Sequence, residues 1–206
     1  MTLMNFCYKK SVFWLTAAML TSGVASSVAF AQQQKDQLTG VTQPEVNICY
    51  ERLSKAYLSL DPQKMVDVYT PDGHYISAGK HLPVMQGQND LMQLYSRYFS
   101  RLKKHNSSLD LQFRVTNRLT GENTINDVGY YVVTIIPPKE SKQPAKQHAG
   151  KFMITFKRQS DDSWGIWAEA NSKAKIKSYI NAKAVDNLHY DPYYPAQWYE
   201  NYTTHE

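Results

Sequence analysis

The 206-residue sequence predicts an α+β fold in which a strongly curved, mostly antiparallel sheet wraps around N-terminal helices. Two observations carry that expectation. Between Asp127 and Asn171 lie three runs rich in β-branched and aromatic residues: Asp-Val-Gly-Tyr-Tyr-Val-Val-Thr-Ile-Ile, Gly-Lys-Phe-Met-Ile-Thr-Phe-Lys-Arg and Trp-Gly-Ile-Trp-Ala-Glu-Ala-Asn. Turn or loop chemistry divides them, as it divides successive strands. Ahead of them stand amphipathic helical patterns, and a sheet bent over such helices encloses a pocket.

The elements follow in order. Residues 32–43 are polar and aperiodic, a linker. A helix begins near Pro44, its apolar face formed by Val46, Cys49, Leu53, Ala56, Tyr57 and Leu60. Asp61-Pro62 ends it and opens a short second helix, with Asp as N-cap and Pro in the first turn. That helix carries Met65, Val66, Val68 and Tyr69 to the turn Thr70-Pro-Asp-Gly73, after which His74 to Ser77 reads as a strand. Gly79 to Gln86 is a loop. Gly87-Gln-Asn-Asp90 starts the clearest amphipathic helix, with Leu91, Leu94, Tyr95, Tyr98, Phe99 and Leu102 at i, i+3, i+4 spacing. Leu109, Leu111, Phe113 and Val115 then alternate with Asp110, Gln112, Arg114 and Thr116, the pattern of a strand with one wet face. Residues 125–136 form the next strand, and from Val128 to Ile136 neither of its faces is plainly polar, so both should be covered. A polar loop from Pro137 to Gln147, a return strand, the turn Ser160-Asp-Asp-Ser163 and the strand Trp164 to Asn171 complete the sheet. A short helix from Lys173 to Ala184 and a tail with six aromatic residues from Tyr190 to Tyr202 follow. An exposed aromatic tail would be sticky, so it should pack on its own sheet or on a partner.

Residues 1–31 read as a targeting segment: Lys9 and Lys10, an apolar stretch from Val12 to Val24, and Ala29-Phe30-Ala31 as a small-x-small cleavage site. The rival reading is an uncleaved membrane anchor, against which Ser11, Thr16, Thr21, Ser22, Gly23, Ser26 and Ser27 dilute the apolar run. A cleaved signal places the protein in the periplasm or outside the cell; membrane contact is expected only if the segment is retained. Without those residues, 21 Lys and Arg face 18 Asp and Glu, a net charge of +3. The basic groups, Arg101-Leu-Lys-Lys104 and Lys173 to Lys177, read as solvated faces, and no nucleic-acid partner is expected. Of two cysteines only Cys49 lies beyond the targeting segment, so the domain holds no disulfide of its own, and the thiol reads as inert and buried.

Tyr69-Thr-Pro-Asp-Gly73, Gly87 before its helix, Asp127-Val-Gly-Tyr-Tyr131, Gly150-Lys-Phe152 and Asp162-Ser-Trp-Gly-Ile166 together give residues 44–172 a resemblance to the nuclear-transport-factor-2-like superfamily, and more narrowly to SnoaL-like domains. The resemblance implies a cone: a curved sheet over long helices, a pocket on the concave side and an outer face that often forms a homodimer. It leaves residues 173–206 as a C-terminal extension. The fold hosts isomerases, dehydratases, cyclases, passive binders and assembly modules, so function must be argued from the site. In ketosteroid isomerase, on this fold, a first-helix Tyr and a first-strand Asp carry the chemistry with another Asp in the oxyanion hole. Matching the 69–73 turn puts Leu53 and Ser77 at the first two positions, which disfavours that route.

Three functional classes remain. The first is an exported domain binding a small hydrophobic or aromatic molecule, its pocket lined by Tyr57, Tyr69, Tyr75, Tyr98, Phe113, Tyr131, Phe152 and Trp167, with polar tips to orient the ligand. The second is a lyase or isomerase using His74 with Asp127 or Glu169 for proton transfer; alternation lets only one of Ala168 and Glu169 face inward. The third is an envelope interaction module using the sheet face and the aromatic tail. No metal site is expected, because His74, His81, His105, His148, His189 and His205 are not at ligand spacing with one another or with acids. No Gly-rich phosphate loop and no Gly-x-Ser-x-Gly elbow occurs, and no cofactor is expected.

Overall fold

The computed structural model describes residues 44–79, 82–185 and 188–190. The targeting segment, the linker and the tail aromatics beyond Tyr190 lie outside the described residues. Helices α1 (Pro44–Ser59) and α2 (Pro62–Val66) lead into strand β1 (Tyr69–Ile76) and the short β2 (Met85–Gln86). Helix α3 (Gly87–Lys104) precedes β3 (Ser108–Thr120), β4 (Thr124–Ile136), β5 (Lys146–Arg158) and β6 (Trp164–Ala174), followed by α4 (Ile176–Asn181) and β7 (His189–Tyr190). The strands form one curved, open sheet in the order β2-β1-β6-β5-β4-β3-β7. Among the described strands only β1 and β6 run parallel. Among the described residues no helix is long and apolar enough to cross a membrane.

The α1–α2 junction follows the local chemistry. Leu60 turns the chain in the left-handed region (φ 50°), and the Asp61 carboxylate accepts from the backbone N–H groups of Gln63 and Lys64 at 2.9 and 3.4 Å. Pro62 costs nothing there because a first-turn N–H has no helical partner. Strand β1 begins five residues earlier than the sequence pattern suggests. Tyr69 pairs with Ile166 and His74 with Ala168, and the register shift between them lets the Thr70–Gly73 turn bulge inside the strand.

The core lies between the helices and the concave sheet face. Helix α3 delivers Leu91, Tyr95, Phe99 and Leu102 to it, and α1 delivers Val46, Cys49, Tyr50, Leu53 and Ala56. The outer face of β3 departs from expectation: Asp110 and Gln112 are buried rather than wet. Helix α4 covers them. Tyr179 is fully buried, its hydroxyl donates to Gln112 Oε1 at 3.2 Å, and it packs with Val132 and Ala149 in a second small core. Arg114 fastens the helix by donating to the carbonyls of Tyr179 and Ile180 at 2.8 and 2.6 Å while lying over the Tyr179 ring. Thus the C-terminal extension supplies part of the cover that the two-faced β4 strand requires. The helix is shorter than expected because β6 continues to Ala174.

Candidate functional site

Lateral pairing across the concave face aligns Arg118, Asp127, Ile154, Glu169 and Tyr75 in one row. Alternation therefore turns Glu169, not Ala168, inward. Beside Glu169 opens a cavity of about 390 Å3, bounded by α1, α2, α3 and strands β1 and β3–β6. Tyr57, Tyr75, Tyr98, Phe113 and Tyr131 line it, with Leu53, Leu94 and Val133 completing the apolar wall. Leu53 and Ser77 also border this cavity, and neither side chain can do the work of a phenol donor or a carboxylate base.

The polar floor is built on Glu169. Its Oε2 accepts from the Tyr69 hydroxyl at 2.5 Å, and its Oε1 from Asn171 Nδ2 at 2.7 Å. The Tyr69 and Tyr95 hydroxyls are 3.1 Å apart. Burial raises the Glu169 carboxyl above the ordinary glutamate value, and the two donated hydrogen bonds only partly oppose that rise. Burial also pushes the phenols of Tyr57, Tyr69, Tyr75 and Tyr95 upward, with the nearby Glu169 charge acting in the same direction; Tyr131 reaches about 12. The site thus presents one carboxyl able to hold or release a proton, surrounded by phenols that stay protonated and donate hydrogen bonds.

Two glycines allow close approaches within the sheet behind the cavity. A Cβ on Gly150 would meet the Tyr131 ring at 2.3 Å, so its bare backbone seats that ring across the β4–β5 pair. A Cβ on Gly129 would stand 2.0 Å from the Arg114 carbonyl oxygen, beside the β3 register shift between Val115 and Asn117.

The remaining sequence-derived candidates stand elsewhere. Asp127 is on the concave face but outside the cavity wall. Arg118 grips both of its oxygens, Nε to Oδ1 at 2.7 Å and a terminal nitrogen to Oδ2 at 2.6 Å, and Tyr50 donates to Oδ2 at 2.8 Å. This fully buried ion pair ties β3 and β4 to α1. Tyr190 joins it by stacking on Tyr50 at 4.1 Å and donating to Asn47. His74 points to the opposite face from Tyr75 and Glu169, with its ring 5.6 Å from Trp167. The structure therefore does not bring His74 together with either acid. Trp167 sits at the β6 irregularity, turned outward at 38% exposure, with its indole N–H donating to Asp72. Phe152 lies behind the wall against Phe113, 5.5 Å between ring centres, and Tyr69 reaches the floor only through its hydroxyl. Tyr50, Tyr95 and Asn171 were not singled out by sequence reasoning as polar partners. Tyr95 and Asn171 stand at the right helical and strand periods, whereas the Tyr50–Asp127 contact spans 77 residues and leaves no local signal.

No protein-family model matches the sequence, and no curated protein is significantly similar to it. Solved structures are similar in fold. An NTF2-like protein with a cystatin-like fold from Novosphingobium aromaticivorans matches 77% of this chain and 96% of its own, at TM-score 0.52 and 12% identity. ActVI-ORFA from Streptomyces coelicolor matches 63% and 95%, at TM-score 0.55 and 12% identity. A protein from Catenulispora acidiphila in complex with S-DNPA matches 72% and 94%, at TM-score 0.51 and 12% identity. The bent sheet, the helices on its concave side and these likenesses together give the domain the nuclear-transport-factor-2-like fold.

Proposed function

We propose that this domain binds a small, largely aromatic or hydrophobic molecule in its cone cavity, with Glu169 and the phenols around it orienting the polar end. The observation that carries this reading is the hollow itself: about 390 Å3, walled by aromatic side chains and closed below by a hydrogen-bonded carboxyl. Its size lies within the range of about 300–1,000 Å3 common to small-molecule sites, and its few convergent polar groups match their usual design. A fold neighbour solved with a small ligand adds support by analogy. The test is a fluorescence titration with N-phenyl-1-naphthylamine. The wild type should bind it one to one, and Leu94→Trp, which places an indole in the cavity, should weaken binding at least about tenfold while keeping the wild-type circular dichroism. Unchanged affinity in that variant would place the probe elsewhere and sink the proposal.

A second reading is favoured by one observation, the raised carboxyl of Glu169 under an array of phenolic donors. Such a pair can move a proton at a bound ligand while the phenols stabilise developing oxyanion charge, as a lyase or isomerase requires. Glu169→Gln should then abolish turnover on a found substrate and leave probe affinity within a few fold. His74 and Asp127 take no part in this version.

Export by residues 1–31 to the periplasm or beyond, and a homodimer on the outer sheet face, belong to the same reading. For the dimer, a lateral row on that face carries the exposed side chains of Ile76, Met153 and Val128, 48%, 52% and 42% accessible. Light scattering on wild type and Met153→Lys tests it: a dimer that becomes a monomer supports the face, and an unchanged mass opposes it.

A further inference from the structure

The mouth of the cavity carries charge that the apolar reading leaves unused. Helix α3 divides its side chains between two jobs. Leu91, Tyr95, Phe99 and Leu102 fill the core, with Tyr95 also reaching the cavity, whereas Leu94, Arg97, Tyr98 and Arg101 line the cavity at the spacing of one helical stripe. Arg97 and Arg101 are exposed, so they stand where the cavity meets solvent, and His148 of β5 borders the same hollow.

Among the described residues neither arginine has a counter-ion: no carboxylate lies within 4 Å of either, and Arg97 makes a single hydrogen bond, from Nε to the Gln93 carbonyl of its own helix at 3.1 Å. A dipole-complementing role accounts for Arg101 but not for Arg97. Arg101 shares the last turn with Lys103 and Lys104, where the helix dipole favours a cation, but Arg97 stands two turns from the helix end and beyond that effect. Arg101 also acts inward, since its charge opposes the burial-driven rise of the Tyr98 phenol on the cavity wall. The one acid in the lining is Glu169 at the enclosed floor, where burial favours the neutral carboxyl. The cavity is therefore cationic at its opening, aromatic through its body and hydrogen-bonding at its base.

We infer that the ligand is an amphipathic organic anion: an aromatic or otherwise apolar body inside the cone, with a carboxylate or comparable anionic group held at the mouth by Arg97 and Arg101. This deepens the binding role proposed above and rests on it. Guanidinium groups suit the task because each presents paired donors to a planar anion.

Two probes sharing one ring system separate the claims: neutral N-phenyl-1-naphthylamine and anionic 8-anilinonaphthalene-1-sulfonate. The sulfonate should bind roughly tenfold more tightly at low ionic strength, the scale expected of two solvent-exposed ion pairs. Added salt should shrink that advantage. R97Q/R101Q should remove it, weakening the sulfonate far more than the neutral probe. K103Q/K104Q deletes the same charge from the same helix away from the cavity and should leave the advantage intact. Equal affinity for both probes, an advantage that survives R97Q/R101Q, or one lost equally in K103Q/K104Q overturns the inference while the cavity's binding role stands. Binding of neither probe overturns both.

Discussion

The Tyr69 hydroxyl donates to Glu169 Oε2 over 2.5 Å, joining residues one hundred positions apart at the base of the cone. Tyr69 opens β1, and Glu169 lies three residues along β6 from Ile166, which Tyr69 opposes. The contact ties the parallel strand pair to the cavity floor, across the register shift made by the Thr70–Gly73 turn.

Glu169 should make stability depend on pH in a defined direction. In the fold its carboxyl holds its proton above the ordinary value of 4.5, so within that window the folded state binds more protons than the unfolded chain. Stability attributable to this group is then highest below 4.5 and is lost as pH rises through the raised folded value. Glu169→Gln should gain on wild type across the window, by at most about 1.4 kcal/mol per pH unit, and run parallel to it outside. Urea denaturation at a series of pH values checks this; a constant difference throughout would mean that the carboxyl is not held out of water.

Asp127 should prove a structural residue. Asp127→Asn leaves the Arg118 guanidinium buried without its counter-charge and should cost about 3–5 kcal/mol. Tyr50→Phe removes one hydrogen bond to the same carboxylate and should cost less, about 1–3 kcal/mol. Urea midpoints measure both. Wild-type stability in Asp127→Asn, together with loss of ligand binding, would return Asp127 to the functional site.

The two close-approach glycines should fail differently. At Gly150 the obstacle is the Tyr131 ring, which can swing into the cavity, so Gly150→Ala should fold with a loss of about 1–3 kcal/mol and bind the naphthylamine probe more weakly. At Gly129 the obstacle is the Arg114 backbone carbonyl, which cannot move without breaking the β3–β4 ladder. Gly129→Ala should cost about 3 kcal/mol or more. Thermal melts and probe titration on both variants separate the two effects.

Cys49 should be chemically silent in the native state. Burial pushes its thiol up to about 11, and its Sγ lies 3.3 Å from the Trp164 carbonyl oxygen. Iodoacetamide labelling followed by peptide mapping should modify Cys49 only after denaturant is added. Rapid labelling of the folded protein would contradict its place in the core.

Much of the fold was legible because it is written locally. The Asp61-Pro62 junction, the α3 stripe from Leu91 to Leu102 and the β-rich runs after Asp127 each follow short-range rules of capping and periodicity. The inward choice at Glu169 was not legible, because it depends on the β6 irregularity near Trp167, which also turns that indole outward. The Arg118–Asp127 pair was missed for a related reason. Arg118 falls on β3 beyond the register shift after Val115, where simple alternation no longer tells which way a side chain points. Asp110 and Gln112 have the polar character of a wet strand face, yet α4 covers them from more than sixty residues away in sequence. Local pattern predicts elements well; which polar groups meet depends on bulges and on distant cover.

The most direct test is a carbon-13 NMR titration of the Glu169 side-chain carboxyl, assigned by comparison with Glu169→Gln and recorded with and without saturating N-phenyl-1-naphthylamine. The free protein should show a carboxyl titrating above the ordinary glutamate range, with its chemical shift displaced by the probe. A carboxyl that titrates as an exposed glutamate and is unmoved by the probe would contradict a ligand cavity built on Glu169.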